Sequence, residues 1–247
     1  MMCRPVAYNK AQVGCLPQRE RMAVMTDDMK DRVLDAAMMH VPFDGWSERT
    51  LRAALVDANM APALGKALFP RGGVDLALAY HARGDAEMVA RLAEVDLGAL
   101  RFRDRVAKAV RLRLEGLDPE LVRRGTTLFA LPQNAVAGAG AIWGTADKIW
   151  TALGDGSDDI NWYTKRATLS AVYGSTVLYW LGDTAPGQGQ TWDFLDRRIE
   201  GVMQFEKLKA KVQQNPVGKM IFDVSGKMMA SIRRPIVPQD LPGRRQN

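Results

Sequence analysis

The residues with the widest chemical range are few in this chain and poorly placed for catalysis. His40 and His81 are the only histidines. Neither belongs to an HExxH pattern or to the Glu-x-x-His pair that a di-iron helix bundle needs. Each reads as a helix-surface or packing histidine. Cys3 and Cys15 lie in an unpatterned N-terminal stretch, which fits neither a disulfide framework nor a zinc site. Gly138, Gly140 and Gly144 lack the GxGxxG spacing and follow no expected strand, so they read as small residues for close helix packing. No GxSxG nucleophile elbow is present. Asp158 and Asp159 could form an acid–base pair, but acids at a helix start ordinarily cap it and favour its dipole. The chain therefore reads as non-enzymatic, with no metal site and no cofactor.

The stretch DDINWYTKR, Asp158 to Arg166, places two aromatic rings between two acids and two bases. The following residues, ATLSAVYGSTVLYWLG, carry no charge. At 100° per residue, Trp162, Leu169, Tyr173, Thr176 and Trp180 share one helical stripe. Arg166 lies on the same side, and an unpaired guanidinium is hard to bury, so that end of the stripe is expected at the rim. Two readings of this helix stand. It is a central core helix throughout, or it joins an exposed aromatic anchor, Trp162 and Tyr163, to a deeper apolar lining. Trp, Tyr and Arg dominate binding hot spots, which makes the exposed pair a candidate docking surface.

The elements that must position these residues are helical. Alternating β-branched runs are absent and helical spacing recurs along the chain. A first helix is expected from about Asp27 to His40, with Val33, Leu34, Ala37 and Val41 on one side. Ser47 looks like the cap of a second, which runs to Val56. A turn at Asp57–Asn59 leads to a short helix, Ala61 to Phe69, and a longer one, Val74 to Glu94. That order is a helix-turn-helix module. Further helices are expected over Leu100–Gly116, Pro119–Leu131, Ala135–Leu153, Asp159–Leu181, Thr191–Gln214 and Pro216–Ile232. The fold class is all-α. Its expected parts are a disordered stretch over 1–25, a helix-turn-helix domain over 26–95, a larger helical domain over 96–214, a C-terminal amphipathic helix over 215–234 and a disordered tail over 235–247.

The 247 residues are 47% hydrophobic, enough for a sizeable core. The formal net charge is +6. From Lys207 onward nine bases face only Asp223 and Asp240, so the basicity belongs to the tail. Such a tail suits a negative surface, lipid or nucleic acid. Asn215 and Pro216 fit a helix cap and first position, and beyond them Val217, Met220, Ile221, Val224 and Met228 share a face, with Ile232 at its margin. Lys219, Asp223 and Gly226 lie opposite. This segment reads as a reversible membrane-surface helix, with packing on its own domain as the rival. Residues 1–25 show no signal peptide, and no run reaches the 18–20 apolar residues of a span. A reducing, cytoplasmic setting is expected, peripheral on the inner face of the cell membrane.

TADKIW…GDGSDDINWYTKRATLSAVYGSTVLYW…TWDFLDRRI resembles the alphaproteobacterial and mitochondrial ubiquinone-biosynthesis accessory family, the Coq-nine lipid-binding proteins. The likeness begins near Asp31 with RVLDAAMMHVPFDGWS and runs to about Lys211. It implies a fold similar to TetR-type regulators, with a helix-turn-helix remnant, a helical ligand domain and a tendency to form homodimers. The family is non-enzymatic, binds isoprenoid lipid and assists the di-iron hydroxylase acting on demethoxyubiquinone. Transferred by motif, its exposed partner patch falls on Ile149, Trp150, Asp159, Trp162 and Tyr163. The implied lipid cavity, for a polyprenyl quinone or phospholipid, is expected to involve Ile142, Trp143, Tyr173, Val177 and Trp180. Unlike the mitochondrial members, this sequence shows no transit peptide.

The rival function is a TetR-like transcriptional regulator with a hydrophobic effector. The segment matching the recognition helix, Met60 to Phe69, offers Lys66 as its only base and no hydroxyl. Phosphate neutralisation supplies most DNA affinity, so no DNA partner is expected.

Overall fold

A computed structural model of the protein describes residues 17–214 and 235. Among them there are helices and turns and no strand. The helices are α1 (Gln18–Asp44), α2 (Glu48–Asp57), α3 (Pro62–Leu68), α4 (Gly73–Leu92), α5 (Phe102–Leu114), α6 (Pro119–Phe129), α7 (Ala135–Ala152), α8 (Ile160–Gly182) and α9 (Gly189–Gln214). The expected last helix over 215–234, with Val217, Met220, Ile221, Val224, Met228 and Ile232, lies outside the described residues.

The helices group into two compact units. The first holds residues 17–86 together with 116–141. The stripe Val33, Leu34, Ala37 and Val41 of α1 is buried, as its spacing requires. It packs with Leu51, Leu55, Phe69 and Leu76 into one core, and each such side chain contributes about 1.5–3 kcal/mol on burial. Ser47 does cap α2, accepting from the Thr50 amide at 3.2 Å. Gly65 of α3 sits so close to α2 that a Cβ there would meet Leu55 Cδ1 at 2.4 Å. The Trp46 indole donates to the Leu121 carbonyl at 3.0 Å, bringing α6 to this core across 75 residues.

The second unit holds residues 87–115 and, of the described residues beyond them, 142–214. Here α5, α8 and α9 pack together, burying Val106, Val110, Leu169, Val172, Leu195 and Ile199. Tyr179 of α8 stacks on Phe194 of α9, with ring centres 4.5 Å apart. Asp183 ties the ends of both helices, accepting from the Thr191 amide at 2.9 Å and its hydroxyl at 2.7 Å.

Three expectations need correction. Helix α1 starts at Gln18, so 18–25 are helical; the other residues of the expected disordered N-terminal stretch, except Pro17, fall outside the description. The division at about residue 95 also fails. Residues 116–141 join the first unit and 87–115 the second, because Leu121 is part of the first core. Finally, of the two readings of α8, that of a core helix throughout does not hold past Arg166. Ala167, Ala171 and Leu178 are exposed.

Candidate functional site

The site is built where α7 ends and α8 begins, inside the second unit. Gly154 takes a left-handed φ of 81°, which an L side chain would resist, and turns the chain out of α7. Its amide donates to the Thr151 carbonyl at 3.1 Å, and the Asp155 amide to that of Trp150 at 3.0 Å. Asp159 then caps α8, accepting from the Asn161 amide at 2.9 Å. This is the capping role expected of that acid, and no catalytic use is needed to explain it.

Asp155 is the hub of the turn, with a side chain only 3% exposed. Its Oδ1 accepts from Lys165 Nζ at 2.7 Å and from the Ser157 hydroxyl at 2.8 Å. Its Oδ2 accepts from Arg166 Nη1 at 3.0 Å. Burial pushes this carboxyl up, but the hydrogen bonds from Lys165, Arg166 and Ser157 and the charge of Lys165 outweigh it. The carboxyl is held well below the ordinary carboxylate range.

Arg166 is buried as well, which corrects its expected place at the rim. Its Nε donates to Asp147 Oδ1 at 2.6 Å, and its Nη1 also donates to the Trp162 carbonyl at 3.1 Å. The guanidinium lies 4.0 Å from the centre of the Trp162 ring. Trp162 meets Tyr163 edge-on at 4.9 Å, and Trp143 of α7 stands 6.0 Å from Trp162 and 6.5 Å from Tyr163. All three rings are half-buried. The result is an aromatic cluster seated on a neutralised cation.

Beside it lies a mainly apolar groove of about 220 Å³. Phe102, Arg103 and Val106 of α5 and Trp150 of α7 line it, with Asn161, Thr164, Lys165, Thr168, Leu169 and Val172 of α8 and Ile199 and Val202 of α9. Phe102 stacks on Trp150 at 5.6 Å, and Lys165 Nζ stands 5.3 Å from the centre of the same indole. The Trp150 N–H is used internally, donating to the Lys165 carbonyl at 3.0 Å. Both cations of the lining are matched. Lys165 has Asp155, and Arg103 has Asp104 at 3.2 Å and Glu200 at 2.8 Å.

The expected site residues divide differently from the expectation. Trp162 and Tyr163 are together, and Trp143, expected in the lipid lining, joins them. Trp150, expected in the docking patch, instead forms a wall of the groove. Ile149 cannot be part of an exposed patch, because it is wholly buried. Tyr173 and Trp180 are also core residues. The Trp180 N–H donates to Gln188 Oε1 at 2.7 Å, and the Tyr173 ring lies 5.9 Å from the Arg113 guanidinium. Ile142 and Val177 are half-buried and, with Tyr173 and Trp180, absent from the groove's lining. A usable signal existed on α8. Lys165, Thr168, Leu169 and Val172 fall at i, i+3, i+4 and i+7, one face of a helix.

The histidines are engaged locally. His40 Nε2 is 2.7 Å from Asp57 Oδ2, and His81 Nε2 is 3.1 Å from the Ala141 carbonyl. Gly138 does serve close packing, since a Cβ there would lie 2.7 Å from that of Phe129. Gly140 faces open space and Gly144 has only the Lys148 ammonium at 3.9 Å, so neither shares that role.

A profile of the COQ9 family matches residues 135–206. The chain is 30% identical over 203 residues to the mitochondrial ubiquinone biosynthesis protein COQ9 of Drosophila melanogaster, covering 80% of this chain and 62% of that one. The human mitochondrial protein of the same name is 29% identical over 186 residues, 72% of this chain and 58% of its own. A probable coq9 protein of Dictyostelium discoideum is 27% identical over 195 residues, 76% of this chain and 64% of its own. The chain thus spans about three fifths of the length of these curated relatives. Among solved structures, a TetR transcriptional regulator from Nitrosomonas europaea superposes with a TM-score of 0.55 at 18% identity, covering 70% of this chain and 97% of that one. That likeness shows a TetR-like helical fold and nothing more about function.

Proposed function

We propose that this homologue of the COQ9 ubiquinone-biosynthesis proteins acts in ubiquinone biosynthesis as a non-catalytic accessory protein. In this reading the groove holds the ring and first part of the tail of a polyprenyl quinone intermediate. The aromatic cluster docks the di-iron demethoxyubiquinone hydroxylase, to which the intermediate is presented at a membrane surface. The observation that carries the reading is coincidence. Nine of the twelve groove residues, and all three rings of the cluster, fall inside the segment matched by the family profile.

The chemistry of the groove supports an uncharged ligand. Its walls are apolar and aromatic, and Asn161, Thr164 and Thr168 supply a few polar atoms, the usual make-up of a small-molecule site. Both lining cations already have carboxylate partners, so a phosphate or carboxylate head would have to displace one. A quinone or phenol ring would not. At about 220 Å³ the groove takes a ring and a short run of tail, not a long polyprenyl chain. No helix among the described residues is long and apolar enough to cross a membrane. In this reading the amphipathic, basic segment expected from Asn215 onward brings the chain to the bilayer.

Native mass spectrometry with lipid extraction, on protein purified from its own host, tests the reading. A prenylated benzoquinone or its precursor should be bound, and Val172→Trp, which fills the groove, should empty it. Recovery of anionic phospholipid alone, equally from both proteins, would overturn it. The TetR-like fold also fits a regulator. Against that, α3 spans only seven residues and Lys66 is its one base. Mobility shifts with upstream DNA should show weak, salt-sensitive binding only.

A further inference from the structure

We infer that occupancy of the groove is signalled to the aromatic cluster through Asp155, whose carboxylate joins the cation lining one to the cation beneath the other. The inference rests on the reading of the groove as a site for an uncharged, ring-bearing amphiphile.

The contacts form an unbroken series within one unit. Lys165 lines the groove, and its ammonium is 2.7 Å from Asp155 Oδ1 and 2.7 Å from the Ser157 hydroxyl. Asp155 Oδ2 accepts a hydrogen bond from Arg166 Nη1 at 3.0 Å. Arg166 lies against the Trp162 ring at 4.0 Å. Neighbours in sequence, Lys165 and Arg166 point about 100° apart on the helix. One therefore faces the groove while the other underlies the cluster, and the acid between them is shared.

A series of contacts is not coupling unless one member has two states that the ligand distinguishes. Lys165 is that member. Its side chain is 38% exposed, so its ammonium can swing to solvent without moving the backbone. A ring seated on Trp150 competes with that ammonium, which stands 5.3 Å from the centre of the same indole. Once Lys165 leaves, the buried Asp155 keeps Arg166 as its single cationic partner and draws it in, which changes the stacking on Trp162. Coupling is reciprocal, so a partner that holds Trp162 must change groove affinity by the same factor.

The chain has six tryptophans, which 5-fluorotryptophan labelling makes into six NMR reporters, assigned by single Trp→Phe variants. The full chain is titrated with decylubiquinone. Trp150 and Trp162 should shift with one midpoint, while Trp46, in the other unit, stays still. In Asp155→Asn the Trp150 shift should persist and the Trp162 response vanish. Lys165→Met, which leaves Asp155 paired with Arg166 and removes the competitor at Trp150, should shift Trp150 at a lower decylubiquinone midpoint and leave Trp162 unresponsive, and serves if Asp155→Asn does not fold. A native protein in which Trp150 moves and Trp162 does not would overturn the coupling and leave the groove reading intact. A Trp162 response that survives both variants would also overturn it. If Trp150 itself is silent, the groove reading fails and the coupling falls with it.

Discussion

The Arg166 guanidinium lies 4.0 Å from the centre of the Trp162 ring and is itself 3% exposed, held by Asp147 and Asp155. A half-buried aromatic is thus backed by a cation whose loss would leave the buried Asp155 carboxylate without one of its two cationic partners. Contacts of this kind pre-organise a docking residue, because the rotamer freedom is lost on folding and not on association.

Removing that cation should be expensive. Arg166→Met leaves Asp155 with Lys165 alone and takes from Asp147 the guanidinium it is paired with. Breaking one side of a buried pair costs about 3–5 kcal/mol, so the urea midpoint should fall well below that of the native chain. A variant within about 0.5 kcal/mol of native, the range of ordinary surface changes, would show that the network contributes little.

Asp155 makes the second unit sensitive to acid in a definite direction. A carboxyl held below its unfolded value stabilises the fold above about pH 3.9, and that contribution is lost as pH falls towards the folded value. Urea midpoints measured between neutral pH and pH 2 should therefore drop more steeply for the native chain than for Asp155→Asn. Parallel curves would contradict the role of this acid.

Trp162→Ala should separate docking from stability. The ring is half-buried, and a cation–π contact is worth about 0.5–2 kcal/mol, so the fold should survive. A hot-spot aromatic costs 2 kcal/mol or more on truncation. Affinity for the hydroxylase should then fall roughly thirtyfold or more by calorimetry. Unchanged affinity, or a chain that no longer folds, would remove Trp162 from the docking role.

Flotation with anionic liposomes should be lost on truncation after Gln214, because each of the bases Lys219, Lys227, Arg233 and Arg234 adds about 1 kcal/mol near such a surface. Equal flotation of the truncated chain would refute the anchor.

Much of the fold could be read from residue spacing alone. Ser47 and Asp159 cap the helices they precede, and Leu169, Tyr173, Thr176 and Trp180 are buried as one stripe. What failed was partnership across the chain. A lone arginine on that stripe reads as a rim residue because its partners, Asp147 and Asp155, lie 19 and 11 residues away. Ile149 and Trp150 are adjacent, yet one is core and the other a groove wall, a 100° difference that a transferred motif does not resolve. The groove draws Phe102, Trp150 and Ile199 from three helices besides α8, and no local spacing brings those helices together. The start of α1 was missed because RERMAVMTDD has no buried stripe to announce it.

If the chain assists hydroxylation of demethoxyubiquinone, as proposed, the cellular quinone profile responds to it most directly. Quinones would be extracted and quantified from cells lacking this chain and from the same cells complemented with the native chain or Trp162→Ala. Demethoxyubiquinone should accumulate at the expense of ubiquinone without the chain, return to the parental ratio with the native protein, and stay high with Trp162→Ala. A parental ratio in cells lacking the chain would contradict the claim.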